Sequence, residues 1–234
     1  MKKLLVSVAS VAALAVCAED FYIKNGATDW TSADSFTADA AGAIAATRAP
    51  GDGAAQTDAV FIPNNYTVYI DSKESLARVN NLDRIRPMGT DAILVVTVPE
   101  GECWTDSCPF NYDGASRTTY QHYGKMRKRG AGTLELTTAS RNTNGAGYNT
   151  DYCSSIFADE GTLILPQQPP NSRVFYAFEL GVAANATLVT CIGINTYPCL
   201  VSGAGTITNR ASSTQVRYIN GASSNASQNI AALR

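Results

Sequence analysis

The chain has 234 residues, with 18 Lys and Arg against 20 Asp and Glu and a formal net charge of −2. That balance excludes the strongly basic surface of a nucleic-acid binder and the block charge of an acidic tail. Charged residues make up only 16%, against about a quarter in an average soluble domain, while Gly, Ala, Ser, Thr and Asn are abundant, a balance that suits secreted β-structure with neutral polar faces.

Lys2 and Lys3 precede an apolar stretch from Leu4 to Val16, and Val16-Cys17-Ala18 presents the small or tolerated residues that a signal peptidase reads before Glu19. Residues 1–18 are therefore expected to be a signal peptide. The apolar run is shorter than the roughly 20 residues that span a bilayer and no later segment approaches that length, so no transmembrane helix is expected. Leu14-Ala15-Val16-Cys17 resembles a lipobox, but Val16 stands where Gly, Ala or Ser normally precedes the acylated cysteine, which makes acylation of Cys17 the lesser alternative. Residues 19–212 are expected to form one all-β domain around one core. Residues 213–234, polar and poor in bulky side chains, read as a loosely ordered tail or the start of a continuation.

Helical periodicity is absent over any long window, whereas short alternating runs recur between Gly, Asn, Asp and Pro. Val60 and Ile62 alternate in one run, Pro63-Asn64-Asn65 reads as a turn, and Val68 and Ile70 alternate in the next. Residues 72–86 hold room for one short helical or irregular excursion. Ile93 to Val98 is a nearly continuous apolar run, the pattern of a strand covered on both faces. Beyond it a phrase repeats: Gly130-Ala-Gly-Thr-Leu-Glu-Leu136, Glu160-Gly-Thr-Leu-Ile-Leu165, Asn185-Ala-Thr-Leu-Val189 and Gly203-Ala-Gly-Thr-Ile-Thr208. The apolar residue after Thr falls at 134, 163, 188 and 207, at intervals of 29, 25 and 19 residues, the range of solenoid coils with loop insertions on one flank.

Glycine permits a sharp corner, Thr favours extended backbone, and apolar residues at i and i+2 point together into a core. One such strand cannot bury its apolar side alone, but stacked parallel copies can. The expected fold is therefore a parallel β-helix, a β-solenoid, with Leu134, Leu136, Leu163, Leu165, Leu188 and Ile207 facing one interior. A sandwich of hairpins is the alternative, since Asp113-Gly114, Asn144-Gly145 and Asn220-Gly221 supply hairpin turns.

Lys128-Arg-Gly-Ala-Gly-Thr-Leu-Glu-Leu136, a spacer carrying Asn142, Asn144, Gly145, Gly147 and Tyr148, and then Asp159-Glu-Gly-Thr-Leu-Ile-Leu165 resemble the autotransporter-associated β-strand repeat. The resemblance covers about 40 residues well and about 80 loosely, through Leu180–Leu188 and Val201–Asn209. It implies a right-handed β-helix displayed on a Gram-negative-type surface. The C-terminal outer-membrane barrel of such proteins has no counterpart here, which points to a truncated frame or a small soluble relative. Specificity is good for architecture and low for activity, since such solenoids carry adhesins, proteases and stalks alike.

Five cysteines follow the leader, Cys103, Cys108, Cys153, Cys191 and Cys199. Export favours oxidation, and the short separations make Cys103–Cys108 and Cys191–Cys199 the expected bridges. Their spacings make poor zinc knuckles. No metal and no cofactor is expected. His122 is the only histidine and no Gly-x-Ser-x-Gly elbow accompanies it, so it reads as a surface or loop residue rather than a catalytic base. Asp151, Asp159 and Glu160 offer the carboxylates that glycoside hydrolysis needs, yet they read better as solvated coil edges. No Asp cluster resembles the calcium site of a β-helix polysaccharide lyase.

The sharpest charge feature is Lys125-Met-Arg-Lys-Arg129, four cations within five residues. Lys125, Arg127, Lys128 and Arg129 form either a site for anionic glycans or lipid headgroups, or a solvated loop entering the repeat, and the loop is the preferred reading. Trp30, Trp104, Tyr112, Tyr120 and Tyr123 are candidates for sugar stacking, although corner packing and end capping are the commoner roles. Asn65, Asn185 and Asn225 begin glycosylation sequons that so polar a chain produces by chance. The functional expectation is an exported structural or adhesive surface module without catalytic activity, its partners extracellular glycans or cell-surface components. The alternatives are a secreted carbohydrate-active β-helix enzyme of polysaccharide-lyase type and a small secreted all-β glycan-binding module.

Overall fold

The structure, a computed structural model, describes residues 19–52, 58–108, 110, 124–137, 150–151, 155–165, 175–176, 179–190 and 200–209. The N-terminal part contributes β1 (Asp20–Ile23), β2 (Phe36–Thr37), β3 (Ala59–Ile62), β4 (Thr67–Ile70), the helix α1 (Lys73–Val79) and β5 (Arg84–Pro87). Strands then come in pairs: β6 (Ile93–Thr97) with β7 (Cys103–Asp106), and β8 (Lys125–Arg129) with β9 (Thr133–Leu136). After the short β10 (Thr150–Asp151) follow β11 (Ser155–Ala158) and β12 (Gly161–Ile164); after the short β13 (Phe175–Tyr176) follow β14 (Glu179–Val182) and β15 (Ala186–Thr190). The last pair is β16 (Leu200–Gly203) and β17 (Thr206–Asn209).

The first strand of each pair joins a six-stranded sheet of order β16-β14-β11-β8-β6-β4, and the second joins a five-stranded sheet of order β17-β15-β12-β9-β7. Every pairing in both is parallel. A third sheet, β2-β1-β3-β5, is parallel except where β2 runs antiparallel to β1. The chain is thus strand-rich and solenoid-like, with no closed barrel among the described residues.

Alternation decides what each coil buries, because successive side chains in a strand point to opposite faces. In the five-stranded sheet Trp104, Leu134, Leu163, Leu188 and Ile207 stand in one register row. In the six-stranded sheet Val68, Leu94, Met126, Ile156, Leu180 and Val201 form the matching row. Both rows belong to one hydrophobic core, Val201 and Ile207 packing partly buried against it. Leu136 on β9 and Leu165, just past the end of β12, are buried there too, so the six residues expected to share an interior do so, five of them on parallel strands.

The glycine corners are set by close approach. Gly130 has φ +76°, and a Cβ there would collide with the Val98 carbonyl of the preceding coil; Gly203, at φ +101°, stands in the same relation to Val182. The repeated Gly-x-Gly is therefore a stacking requirement as well as a turn.

The N-terminal part closes one end. The outward backbone groups of β4 are all taken up: Thr67 N–H donates to Asn25 Oδ1, Gly26 N–H donates to Thr67 O, Tyr69 N–H donates to Ala27 O, and Trp30 Nε1–H donates to Tyr69 O at 2.8 Å. An edge strand left bare would be a template for another chain, and this cover removes the hazard. Helix α1 arises where expected. Ser72 Oγ caps it by accepting from Ser75 N, Leu76 and Val79 face the core, and Ser75 Oγ donates to Thr28 O.

The disulfide expected between Cys103 and Cys108 is not formed. Cys103 alternates to the exposed face of β7 while Cys108 is buried, so the two sulfurs lie on different sides of the strand's path. Cys153, Cys191 and Cys199 lie outside the described residues, as do His122 and the tail 213–234.

Candidate functional site

The basic run Lys125–Arg129 is strand β8 in the interior of the six-stranded sheet, not a loop. Apolar neighbours impose this: Met126 enters the inward row between Leu94 and Ile156, which fixes the parity of the whole run. Lys125, Arg127 and Arg129 consequently share the outer face, and Lys128 goes inside.

On that outer face each cation has an acidic partner on a neighbouring segment. Lys125 Nζ donates to Asp91 Oδ1 at 2.9 Å. Arg127 donates a bidentate pair to Asp159, both bonds at 2.7 Å, while its guanidinium lies 4.6 Å from the centroid of the Phe157 ring. Arg129 reaches the same carboxylate at 3.4 Å with half of its side chain exposed. The fork geometry of Arg127 makes it the best-held cation of the three, and the ring beneath adds a cation–π contact.

Lys128 is wholly buried, at 0% exposure. Its ammonium donates to the carbonyls of Gly130, Gly132 and Glu160, the last at 2.7 Å. Those carbonyls belong to two successive glycine corners, so Lys128 ties one coil's corner to the next. Burial pulls its pKa down to about 8, against the opposing pull of the Glu160 carboxylate. The Lys of the Lys-x-Gly-x-Gly phrase is thus a corner clamp, turned away from any external ligand.

The carboxylates at Asp159 and Glu160 are engaged in the same joint. Asp159 serves the arginines, and Glu160 Oε2 accepts from Gly130 N–H at 2.9 Å. The side chain of Asp151 lies outside the described residues. Trp30 is fully buried with its ring edge-on to Phe36 at the capped end, and Trp104 is buried at the start of the Leu row. Both are packing residues. Tyr112, Tyr120 and Tyr123 fall outside the described residues.

Two ionisable features escaped the sequence reading. Asp106 is buried in register with Leu136, and its carboxylate accepts from Cys108 N–H at 2.8 Å. Burial raises its pKa to about 6, with the amide of Cys108 opposing. The signal was available, since Asp106 is two residues from Trp104 and must share its face. The second is Asp58, buried where β3 begins and gripped by Arg48 at 2.6 and 2.8 Å. Nothing in the local pattern marks that pair, because the connection between its members carries no periodicity.

Among the described residues no group of three or more His, Cys, Asp or Glu side chains converges as a metal site, and no helix is long and apolar enough to cross a membrane. No family model, curated protein or solved structure matches the chain.

Proposed function

We propose that this chain is an exported surface module, a right-handed parallel β-helix that binds or spaces partners at the cell surface and carries out no catalysis. The observation that carries the reading is the pair of unbroken inward rows, Trp104 to Ile207 and Val68 to Val201, running through successive coils. Such rows lengthen a scaffold by repetition, each coil stabilised by its neighbours. Right-handed winding is the hand that strand twist favours for parallel connections. The leader-like residues 1–18 support export, and the outward cations Lys125, Arg127 and Arg129 supply the face for anionic glycans, with Lys128 holding the corner beneath them.

Labelling of intact cells with a membrane-impermeant reagent tests display, and the chain is expected among the labelled surface proteins. The protein recovered from those cells is expected to leave pectins and alginates uncleaved with or without calcium. Any binding to them is expected to weaken as salt screens the outer cations. Turnover of a polysaccharide that is lost on changing one Asp or Glu in a still-folded protein would overturn the reading.

A further inference from the structure

The N-terminal clamp has an imbalance of charge that export would correct. Asp58, with its side chain only 3% exposed, binds the Arg48 guanidinium through both carboxylate oxygens. Arg48 also contacts the Glu19 carboxylate at 3.3 Å. Among the described residues, two carboxylates therefore share one guanidinium. Asp58 takes further donors from the backbone: Gly51 N–H at 2.9 Å and Glu19 N–H, whose nitrogen lies 3.2 Å from Oδ1. Glu19 O in turn accepts from Ala59 N–H at 3.1 Å, which holds the residue in place beside β3.

The nitrogen of Glu19 is the same atom that cleavage after Val16-Cys17-Ala18 would release. We propose that the Ala18–Glu19 bond is the processing site and that the new α-ammonium of Glu19 forms an ion pair with buried Asp58, closing a neutral ring with Arg48 and the Glu19 side chain. Hydrolysis adds water across the peptide bond. The hydroxyl goes to the Ala18 carbonyl carbon, which departs as a carboxylate, and the Glu19 nitrogen gains the hydrogen and the released proton to become an ammonium. Two positive charges then face two negative ones, where the uncleaved chain has one against two. Removal of the leader thus completes the first joint of the stack at the point where β1 begins to pair with β3.

Other charged groups near this ring are already matched. Asp52 pairs with Arg78 at 3.0 Å, and Arg84 on the adjoining β5 with Asp83 at 2.5 Å. Burial pushes the Asp58 carboxyl up, but Arg48 and the amides of Gly51 and Glu19 outweigh it and hold Asp58 below the usual carboxylate range. The site is therefore anionic when the ammonium arrives.

The inference rests on the export reading and is tested apart from it. The full chain is produced in an exporting host, and the intact mass and first residue of the released protein are determined. The pH dependence of α-amine acetylation is then measured on the folded protein. Glu19 is expected as the first residue. Its amine is expected to titrate at least one unit above the ordinary α-amino value near 8, so acetylation at neutral pH runs about tenfold slower than for an exposed N-terminus. Asp58→Asn is expected to restore ordinary reactivity. Should that variant not fold, Glu19→Ala, at a half-exposed side chain, keeps the α-amine and its Asp58 contact and is expected to retain the slow reaction. A retained leader in the exporting host would overturn both the export reading and the ion pair. A first residue other than Glu19, including an acylated Cys17, or an amine of ordinary reactivity in the folded protein, would overturn the ion pair alone.

Discussion

At the β4 end of the stack, the outward backbone groups of Thr67 and Tyr69 are covered one by one by Asn25, Gly26, Ala27 and Trp30. Between β8 and β17 the chain instead repeats one short phrase, a glycine corner followed by Thr and alternating apolar residues, with register carried from coil to coil. The first region is held by individual contacts that occur once, including a buried carboxylate with its arginine. The second is held by rows in which every residue but the terminal ones has a register partner above and below. A single change at the cap therefore removes something without a substitute, while a change in the rows loses packing that the neighbouring coils still frame.

Arg48→Met tests the cap most severely. It takes the bidentate guanidinium from the buried Asp58 carboxylate, and the expected loss is about 3–5 kcal/mol by urea unfolding. That loss has a pH signature. Because the folded pKa of Asp58 is held below its unfolded value, the stabilisation is present above the unfolded carboxylate range and disappears as pH falls through the folded value. Parent and variant curves are therefore expected to converge in acid. Convergence only in alkali would show that the carboxylate is not the group at issue.

In the rows, Leu163→Ala removes the central member between Leu134 and Leu188 and is expected to cost about 2–5 kcal/mol, toward the lower end if adjacent coils relax into the space. A loss below about 1 kcal/mol, read from the same unfolding transition, would mean the row is not a continuous core.

Asp106→Asn is expected to act with the opposite sign. The folded pKa is raised to about 6, so the parent's contribution is fullest below the unfolded value near 3.8 and is lost as pH rises through 6. Asn keeps an acceptor for Cys108 N–H and never ionises. The variant is expected to match the parent near pH 4 and to exceed it above pH 7 by up to roughly 3 kcal/mol. Thermal melts at the two pH values decide this.

Lys128→Met keeps the length of the side chain and removes its donors. It leaves the corner carbonyls of Gly130 and Glu160 without their ammonium and is expected to cost about 1–3 kcal/mol. Hydrogen exchange should quicken first at Gly130 N–H and Thr162 N–H, which bond within that same joint. Unchanged exchange there would place the role of Lys128 elsewhere.

Much of the fold was legible because its signals are local. Alternation at Val60 and Ile62, at Val68 and Ile70, and after each glycine corner marks strands whatever surrounds them, and residues 72–86 leave the room in which α1 forms. The same alternation sets Asp106 on the face of Trp104 and Lys128 on the face of Met126, and burial of those apolar rows outweighs the preference of a charge for solvent. Pairing was legible between the repeated phrases but not in the N-terminal part. The antiparallel join of β1 to β2, the strand β5 and the contact of Arg48 with Asp58 bring together segments that no shared local pattern marks as partners.

By itself, then, the sequence determined which residues alternate together, where corners must be glycine, and that the apolar positions at 134, 163, 188 and 207 recur at the pitch of a stack. Only the tertiary structure decided which parity of the basic run faces inward and which ionisable groups share a joint. The physical reason is that a strand's two faces are equivalent until neighbours above and below choose one. At β8 the choice follows Met126, and the energy of burying its row outweighs the cost of drawing Lys128 inside, where three backbone carbonyls replace the water it gives up.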